Sequence, residues 1–335
     1  MNNKERVIKA LNHEQPDITP FHVEFTQQAE KNMIQYYGDA EFTKKLNTCF
    51  KIVEFVAEDE YREVRPNIFE DRFGVQWDRN VDKDIGTVCN RLITPENIDD
   101  YEFPDSDNPE LYKGKMQQID ENSDKFIMGY LGFSLFERAW TLAGMENILM
   151  AMVIDKPFVH RLMDRIFDYN MKVIQNGLKL NIDGFQFGDD WGQQSGLIMG
   201  PQLWAEFIKP RIKEMYGLVK SRNKYVTIHC CGKVDDLFPE LIECGLDMFN
   251  PFQPEVINVK EAKQKYEKKL SFYGGISTQK TLPYGTTTDV REEVKRLLDV
   301  VGNNGGYVAA PAHAVPADAK PENIAAMLDV LSNQK

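Results

Sequence analysis

Cysteine is scarce in this chain of 335 residues. Cys49, Cys89, Cys230, Cys231 and Cys244 are an odd, sparse set that cannot form a disulfide framework. That usage points to a reducing compartment, where cysteine grouped with histidine more often serves a metal or a reaction. Long apolar runs are missing as well. None approaches the ~18–20 residues that span a bilayer, and the nearest, Phe126 to Phe136, is broken by Gly and Ser. The opening Met1-Asn-Asn-Lys-Glu-Arg6 has no apolar secretory core, so a cytoplasmic location is expected. Positive charge is in deficit, with 40 Lys+Arg against 52 Asp+Glu and a net charge of −12. A field of that sign repels phosphate backbones and anionic lipid, so neither nucleic acid nor membrane is an expected partner. No glycine-rich dinucleotide or phosphate loop follows any strand-like run. There is also no internal repeat, low-complexity tract or Pro/Gly/Ser linker, and one domain over 1–335 is the reading.

What is present is enough apolar material for a large core: 42% hydrophobic and 11% aromatic residues. A chain of this length buries roughly 75% of its unfolded surface. The first 15 residues read as a short amphipathic helix with Val7, Ile8 and Leu11 on one side. Residues 27–56 continue at helical spacing, and 64–94 switch to short β-like runs, a hairpin excursion near one mouth of the fold. After residue 105 the rhythm is regular. Apolar runs at 126–130, 184–187, 225–228, 247–250, 270–274 and 307–310 alternate with helical stretches at 156–179, 201–222, 234–244, 259–268, 288–301 and 320–333. Such alternation implies parallel strands joined by crossover helices. Adding a strand at 18–25 and one within 62–70 gives eight, which favours an α/β fold of the closed (β/α)8 TIM-barrel kind over an open sheet.

In such a barrel the chemistry lies at the C-terminal strand ends. Those positions carry Gly188-Asp-Asp-Trp-Gly192, His229-Cys-Cys-Gly232, Asn250-Pro-Phe-Gln253, Gly274-Gly-Ile-Ser277 and Pro311-Ala-His313. Period two in a strand sends His229 and Cys231 one way and Cys230 the other. Imidazole and thiolate are a common zinc pair, and a catalytic zinc keeps about three protein ligands and an open position. His313 is either the third ligand or a histidine bonded to a neighbouring carbonyl. Of Asp189 and Asp190, one is expected to serve catalysis and one to cap a turn, with Asp189 favoured for catalysis. Glu24 joins them as a catalytic candidate. Trp191 either stacks on a substrate or packs. His22, Tyr130, Gln193, Asn250 and Gln253 complete the substrate-binding candidates, and Phe133 offers a further aromatic wall.

Several segments taken in order resemble the uroporphyrinogen decarboxylase superfamily: Lys4-Glu-Arg-Val-Ile-Lys-Ala-Leu-Asn12 with Pro16-Asp17, Phe136-Glu-Arg-Ala-Trp140, Gly188 to Gly192 with Pro201 and Pro210, His229 to Gly232, Gly274 to Ser277 and Pro321-Glu-Asn-Ile324. The resemblance implies a (β/α)8 barrel and one of two chemistries. In place of the arginine-bearing N-terminal segment of the decarboxylases stands Phe21-His-Val-Glu-Phe-Thr-Gln-Gln28. An octa-carboxylate substrate would meet Glu24, Asp189 and Asp190, a mismatch of charge. The other branch consists of methyltransferases serving corrinoid proteins, whose zinc site resembles His229, Cys231 and a third ligand at His313. That third ligand is often cysteine in the coenzyme M enzymes; imidazole there leaves the zinc less negative and the stronger Lewis acid. The chain lacks an Asp-x-His-x-x-Gly cobalamin motif, so the cobalamin or other corrinoid would be carried by a separate partner protein. The expected function is therefore zinc-dependent methyl transfer between a small methylated substrate, such as an aryl methyl ether or a methylamine, and that corrinoid. A decarboxylase and a non-catalytic corrinoid- or ligand-binding barrel are the alternatives.

Overall fold

Helix Asn3–Leu11 opens the computed structural model, which describes every residue except 58 and 335. A reciprocal capping box starts it: Asn2 Oδ1 accepts from Glu5 N and Glu5 Oε2 accepts from Asn2 N. Val7 and Leu11, four apart and so on one face, pack with Phe50, Phe126, Met248, Tyr273 and Val308. Lys4 N donates to Asp124 O and Gly306 N to Ala10 O, both immediately ahead of strands. The helix therefore stoppers the lower, N-terminal end of the barrel.

In chain order the strands are β1 (Phe50–Glu54), β2 (Arg62–Arg65), β3 (Ile68–Glu70), β4 (Gln76–Asp78), β5 (Thr87–Val88), β6 (Phe126–Leu131), β7 (Gly184–Gly188), β8 (Gly192–Gln193), β9 (Gly196–Leu197), β10 (Tyr225–His229), β11 (Met248–Phe252), β12 (Ser271–Ile276) and β13 (Tyr307–Pro311). Seven of them form one parallel sheet in the order β1-β6-β7-β10-β11-β12-β13. The segment Phe21–Phe25 fills the gap between its edges. Phe21 bridges Ala309, His22 N donates to Ala309 O, and Cys49 N, just ahead of β1, donates to Phe21 O. That eighth, irregular member completes the (β/α)8 barrel. The crossover helices Lys156–Gly177, Lys209–Lys220, Thr287–Val300 and Pro321–Ser332 bury their apolar faces against its outside. The stretch expected to be one helix over 201–222 is two, Gly200–Phe207 and Lys209–Lys220. Pro210, which has no N–H to continue the first helix's hydrogen bonding, falls at the break. Among the described residues no helix is long and apolar enough to cross a membrane.

One expected strand is misplaced. Residues 62–70 are not a barrel strand; the barrel uses Phe50–Glu54, inside the stretch read as helical over 27–56. The physical reason lies in the side chains. Arg62, Glu63 and Arg65 are exposed and cannot line a barrel interior, whereas Phe50 and Val53 are buried. β2 to β5 instead make a four-stranded antiparallel sheet, the expected excursion, with Asn67 in the left-handed conformation at its first turn (φ 60°). Beyond β4, Asp84 Oδ1 accepts from Gln27 N at 2.9 Å, which holds Ile85 over the barrel mouth.

Asp71 fastens this sheet to the barrel. Its carboxylate accepts from Phe73 N, Val75 N and Trp77 Nε1, and from Arg138 Nη1 at 2.9 Å. Both side chains of the ion pair are buried, at 1% and 9% exposure. Removing one partner of a buried pair leaves an uncompensated charge, which costs ~3–5 kcal/mol. Arg138→Met is accordingly expected to lower the unfolding free energy by about 3 kcal/mol in urea titration, and adding Asp71→Asn should recover part of it. A loss below about 1 kcal/mol would show that the pair does not anchor the sheet.

Candidate functional site

β10 ends on His229 and its chain continues through Cys230 and Cys231. As the alternation requires, His229 and Cys231 turn to one side while Cys230 is fully buried on the other, its Sγ accepting from Trp191 N at 3.2 Å. Asn250 decides which nitrogen of His229 is free. Asn250 Nδ2 donates to Tyr273 O at 3.1 Å, so its Oδ1 is the atom 2.6 Å from His229 Nδ1. A carboxamide oxygen only accepts, hence Nδ1 carries the proton and Nε2 presents its lone pair. Nε2 lies 3.5 Å from Cys231 Sγ. The His313 ring stands 5.5 Å from that of His229 at 76°, and one ligand atom from each of the three residues lies within 4.8 Å of the others. Tetrahedral zinc with bonds of ~2.0–2.3 Å sets neighbouring ligands ~3.5 Å apart. The donor types fit that ion, and the His229–Cys231 pair already has its spacing, with His313 within 4.8 Å.

Two glycines hold the ligand loop in place. Gly232 has φ +87°, and a Cβ on it would stand 2.5 Å from Gly192 C; a Cβ on Gly192 would stand 2.5 Å from Cys231 O. Only glycine at both positions lets the loops after β7 and β10 touch. Asp190 Oδ1 accepts from Cys231 N at 2.7 Å and joins them again. Burial, then the charges of Asp190 and Glu137, push the Cys231 thiol up. Burial and the neighbouring His229 push His313 down, toward the neutral form that ligates.

Strand register builds the cavity beside these residues. Glu54 pairs with Tyr130, Tyr130 with Gln186, and His229 with both Gly188 and Asn250. Together with His22, Glu24, Glu137, Asp190 and His313 they enclose about 260 Å³, closed further by Ile52, Ile85, Phe133 and Tyr273. Volumes for drug-sized ligands run ~300–1,000 Å³, so the occupant is small. Water reaches the Glu24 carboxylate inside the cavity even though protein surrounds it. Burial works to raise it, but the hydrogen bond and charge of His22 and the charges of His229 and His313 outweigh that and hold it low. Glu54 is raised by burial and by Glu24. Glu137 is raised well above the usual carboxyl range, first by burial, then by Asp190 and Asp189. Burial and Glu137 push the Tyr130 phenol up.

Several expected residues do something else. Asp189, favoured as the catalytic carboxylate, is fully buried. It accepts from Leu135 N, Phe136 N and Glu137 N at 2.8–3.2 Å and from Trp191 Nε1. It caps helix Phe136–Ala143; burial raises its pKa to about 6 against those hydrogen bonds. Of the adjacent pair it is Asp190 that faces the cavity. Trp191 packs on Trp204, wholly buried, rather than meeting substrate. Gln193 is exposed on the β8–β9 hairpin, away from the cavity. Gln253 is buried and accepts from Gly232 N, supporting the ligand loop. Asn250 borders the cavity, but its amide orients His229. His22, Glu24 and Tyr130 stand on the wall as expected.

Glu54, Glu137 and Gln186 were missed. Glu54 went with the misread strand. Gln186 alternates with Gly188 and Asp190, so the period-two argument applied along β7 finds it. Glu137 was legible only as the acidic residue in the first turn of helix Phe136–Ala143, whose start lies at the mouth because Asp189 caps it.

A side chain accepting three helix N–H groups is structural, and its removal leaves buried donors unsatisfied at ~1–3 kcal/mol each. Asp189→Ala should therefore lower the unfolding free energy by about 3 kcal/mol or abolish soluble expression, while Asp190→Asn stays within about 1 kcal/mol of the parent protein. Equal urea midpoints for the two variants would reverse the roles assigned here.

Residues 72–334 match the Uroporphyrinogen decarboxylase (URO-D) family. A uroporphyrinogen decarboxylase from Ruthia magnifica subsp. Calyptogena magnifica is 21% identical over 255 residues, covering 72% of this chain and 71% of that protein. The methylcobamide:CoM methyltransferase MtaA of Methanosarcina barkeri is 24% identical over 131 residues, or 39% of this chain and 36% of that protein. Among solved structures, a methyltransferase from Methanosarcina mazei superposes with a TM-score of 0.73 over 99% of this chain and 98% of its own, at 14% identity. The fold agrees throughout, and the match over residues 72–334 makes the chain a member of the uroporphyrinogen decarboxylase family.

Proposed function

We propose that this chain, acting as one barrel domain, is a methyltransferase that moves a methyl group between a small methylated substrate and the corrinoid of a separate protein, with one zinc ion held by His229, Cys231 and His313. The observation that carries the reading is the oriented donor set: His229 Nε2 left free by Asn250, 3.5 Å from Cys231 Sγ, with His313 closing the group beside a small cavity. The similarity to the Methanosarcina barkeri methyltransferase supports it. The decarboxylase alternative fares worse on charge. Among the described residues no lysine or arginine lines the cavity, while Glu24, Glu54, Glu137 and Asp190 do. A substrate with many carboxylates would find no cation there.

Zinc, when bound, supplies a Lewis acid that withdraws charge from the heteroatom losing its methyl group. The chain's own residues prepare that event. Asn250 keeps His229 in the ligating tautomer, and Asp190 holds the Cys231 backbone. Ile52, Ile85, Phe133 and Tyr273 give the cavity an apolar side for the methyl group. Glu137 faces the cavity, where burial and then the charges of Asp190 and Asp189 favour the protonated form of its carboxyl.

Zinc titration of chelator-treated protein tests the metal set. The parent should take up one zinc per chain, Cys231→Ala should lose it, and Cys230→Ala should keep it. Asn250→Ala, which removes the partner of His229 Nδ1, should weaken uptake ~10–100-fold. Equal uptake by the parent and Cys231→Ala would remove the metal site and the main support for methyl transfer.

A further inference from the structure

We propose that a second cavity, meeting the first at His313, receives the carboxamide-bearing edge of the corrin ring that the partner protein presents. The corrinoid rests on the methyl-transfer reading above; the subsite rests on this cavity's own wall. It encloses about 530 Å³ and is bordered by Cys231 and His313, while His229 and His313 border the first. Each cavity therefore opens on the metal set, one past His229 and the other past Cys231. Two donors on the second wall have nothing to bond. Gln253 is 6% exposed, and its Oε1 accepts from Gly232 N at 3.3 Å. That bond fixes which end of the carboxamide is free: Nε2 is, and among the described residues it has no acceptor. Thr278, 9% exposed, borders the same cavity with a hydroxyl that likewise has none. Neither atom is sealed from the cavity. Buried donors are rarely left unpaired in a folded protein, so an occupant has to bring acceptors.

Charge decides which acceptor. Among the described residues no lysine or arginine borders this cavity, whereas Asp318 does, so a carboxylate or phosphate would meet repulsion. A neutral carbonyl oxygen is what two uncharged donors suit. The rest of the wall is of the same kind: Thr26, Gln194 and Gln279 are polar and uncharged, and Tyr284, 75% exposed, offers a ring at the lip. A corrin carries neutral carboxamides around an otherwise apolar macrocycle. Its amide carbonyls match Gln253 Nε2 and Thr278 Oγ1, and its flat face matches the Tyr284 ring. The first cavity suits it less, enclosing only about 260 Å³ and presenting Glu24, Glu54, Glu137 and Asp190. One metal set thus serves two cavities of different character, an acidic one for the small molecule and an uncharged amide-lined one for the corrin edge.

Equilibrium dialysis of the full chain, metal-free and zinc-loaded and without any corrinoid protein, tests the inference. The probes are cyanocobalamin, whose cobalt has both axial positions filled and so cannot bind Cys231 or His313, its derivative with the propionamides hydrolysed to carboxylates, and acetamide. Cyanocobalamin should bind, and the carboxylate derivative at least about tenfold more weakly, the loss of one hydrogen bond to a buried donor plus repulsion. Gln253→Glu keeps an acceptor for Gly232 N while removing the Nε2 donor, and should weaken cyanocobalamin roughly tenfold and leave zinc uptake unchanged. Thr278→Val should weaken it severalfold, and Glu54→Gln, in the first cavity, should not. If Gln253→Glu also loses zinc, Thr278→Val decides alone. No binding of cyanocobalamin, equal binding of the carboxylate derivative, acetamide binding as tightly as cyanocobalamin, or affinity untouched by Thr278→Val would each overturn the subsite. Failure of methyl transfer reads out separately. Cyanocobalamin binding that depends on Gln253 and Thr278, in a chain that takes up no zinc and never alkylates cobalt, keeps the subsite and removes the methyltransferase. Zinc uptake and cobalt alkylation with cyanocobalamin binding insensitive to both residues does the reverse.

Discussion

Asp189 has to be satisfied before anything at the barrel mouth can be in place. A carboxylate with no exposed surface needs donors, and it finds them in the first turn of helix Phe136–Ala143 and in the Trp191 indole, while its own N–H goes to His229 O. One side chain thereby ties three pieces together: the start of a helix, the loop after β7, and the end of the strand that carries His229. Glu137 reaches the cavity because the cap sets where its helix begins. Asp190, one residue on, faces the cavity and bonds to Cys231 N because Asp189 faces the other way. Alternation turns a single buried hydrogen-bonding centre into the placement of both neighbours.

Charge around the cavity follows a different logic from charge elsewhere in the molecule. On the surface, Lys44–Glu41 or Lys113–Glu110 are exposed pairs of little consequence. Within the mouth, carboxylates accumulate with no lysine or arginine on the wall among the described residues, and burial followed by mutual repulsion raises Glu54 and Glu137. Such an arrangement is unfavourable for the empty protein. It persists because each acid is fixed by a strand end or helix start that many other contacts determine, a common way for strain to be held at sites that bind something.

The barrel was legible from β6 onward because each strand there is a short apolar run ending in glycine or a polar residue, followed by an amphipathic stretch. It was illegible before residue 105 for a specific reason. Phe50–Glu54 follows a helical segment without a strong break, and its buried Phe50 and Val53, three apart, fit a helix as well as a strand. His229 and Cys231 could be paired from strand alternation, while His313 joined them as a candidate from its strand end together with the family resemblance. Asp189 against Asp190 could not be decided that way: the direction of each depends on whether a donor waits at Leu135, which is distant in sequence. Residues that serve through others, such as Asn250 and Gln253, carried no signal beyond their polarity.

Helix Asn3–Leu11 fills the barrel from below with Val7 and Leu11, at the end opposite the mouth where the cavity lies. Entry from the mouth bears on the order of events. Under the proposed methyl transfer, a small molecule would have to be seated before a corrinoid-bearing protein covered the opening, and what remained after the exchange would wait until that protein departed. For the proposed two-substrate reaction on this scaffold, a compulsory binding order would thus be a matter of architecture rather than of affinity.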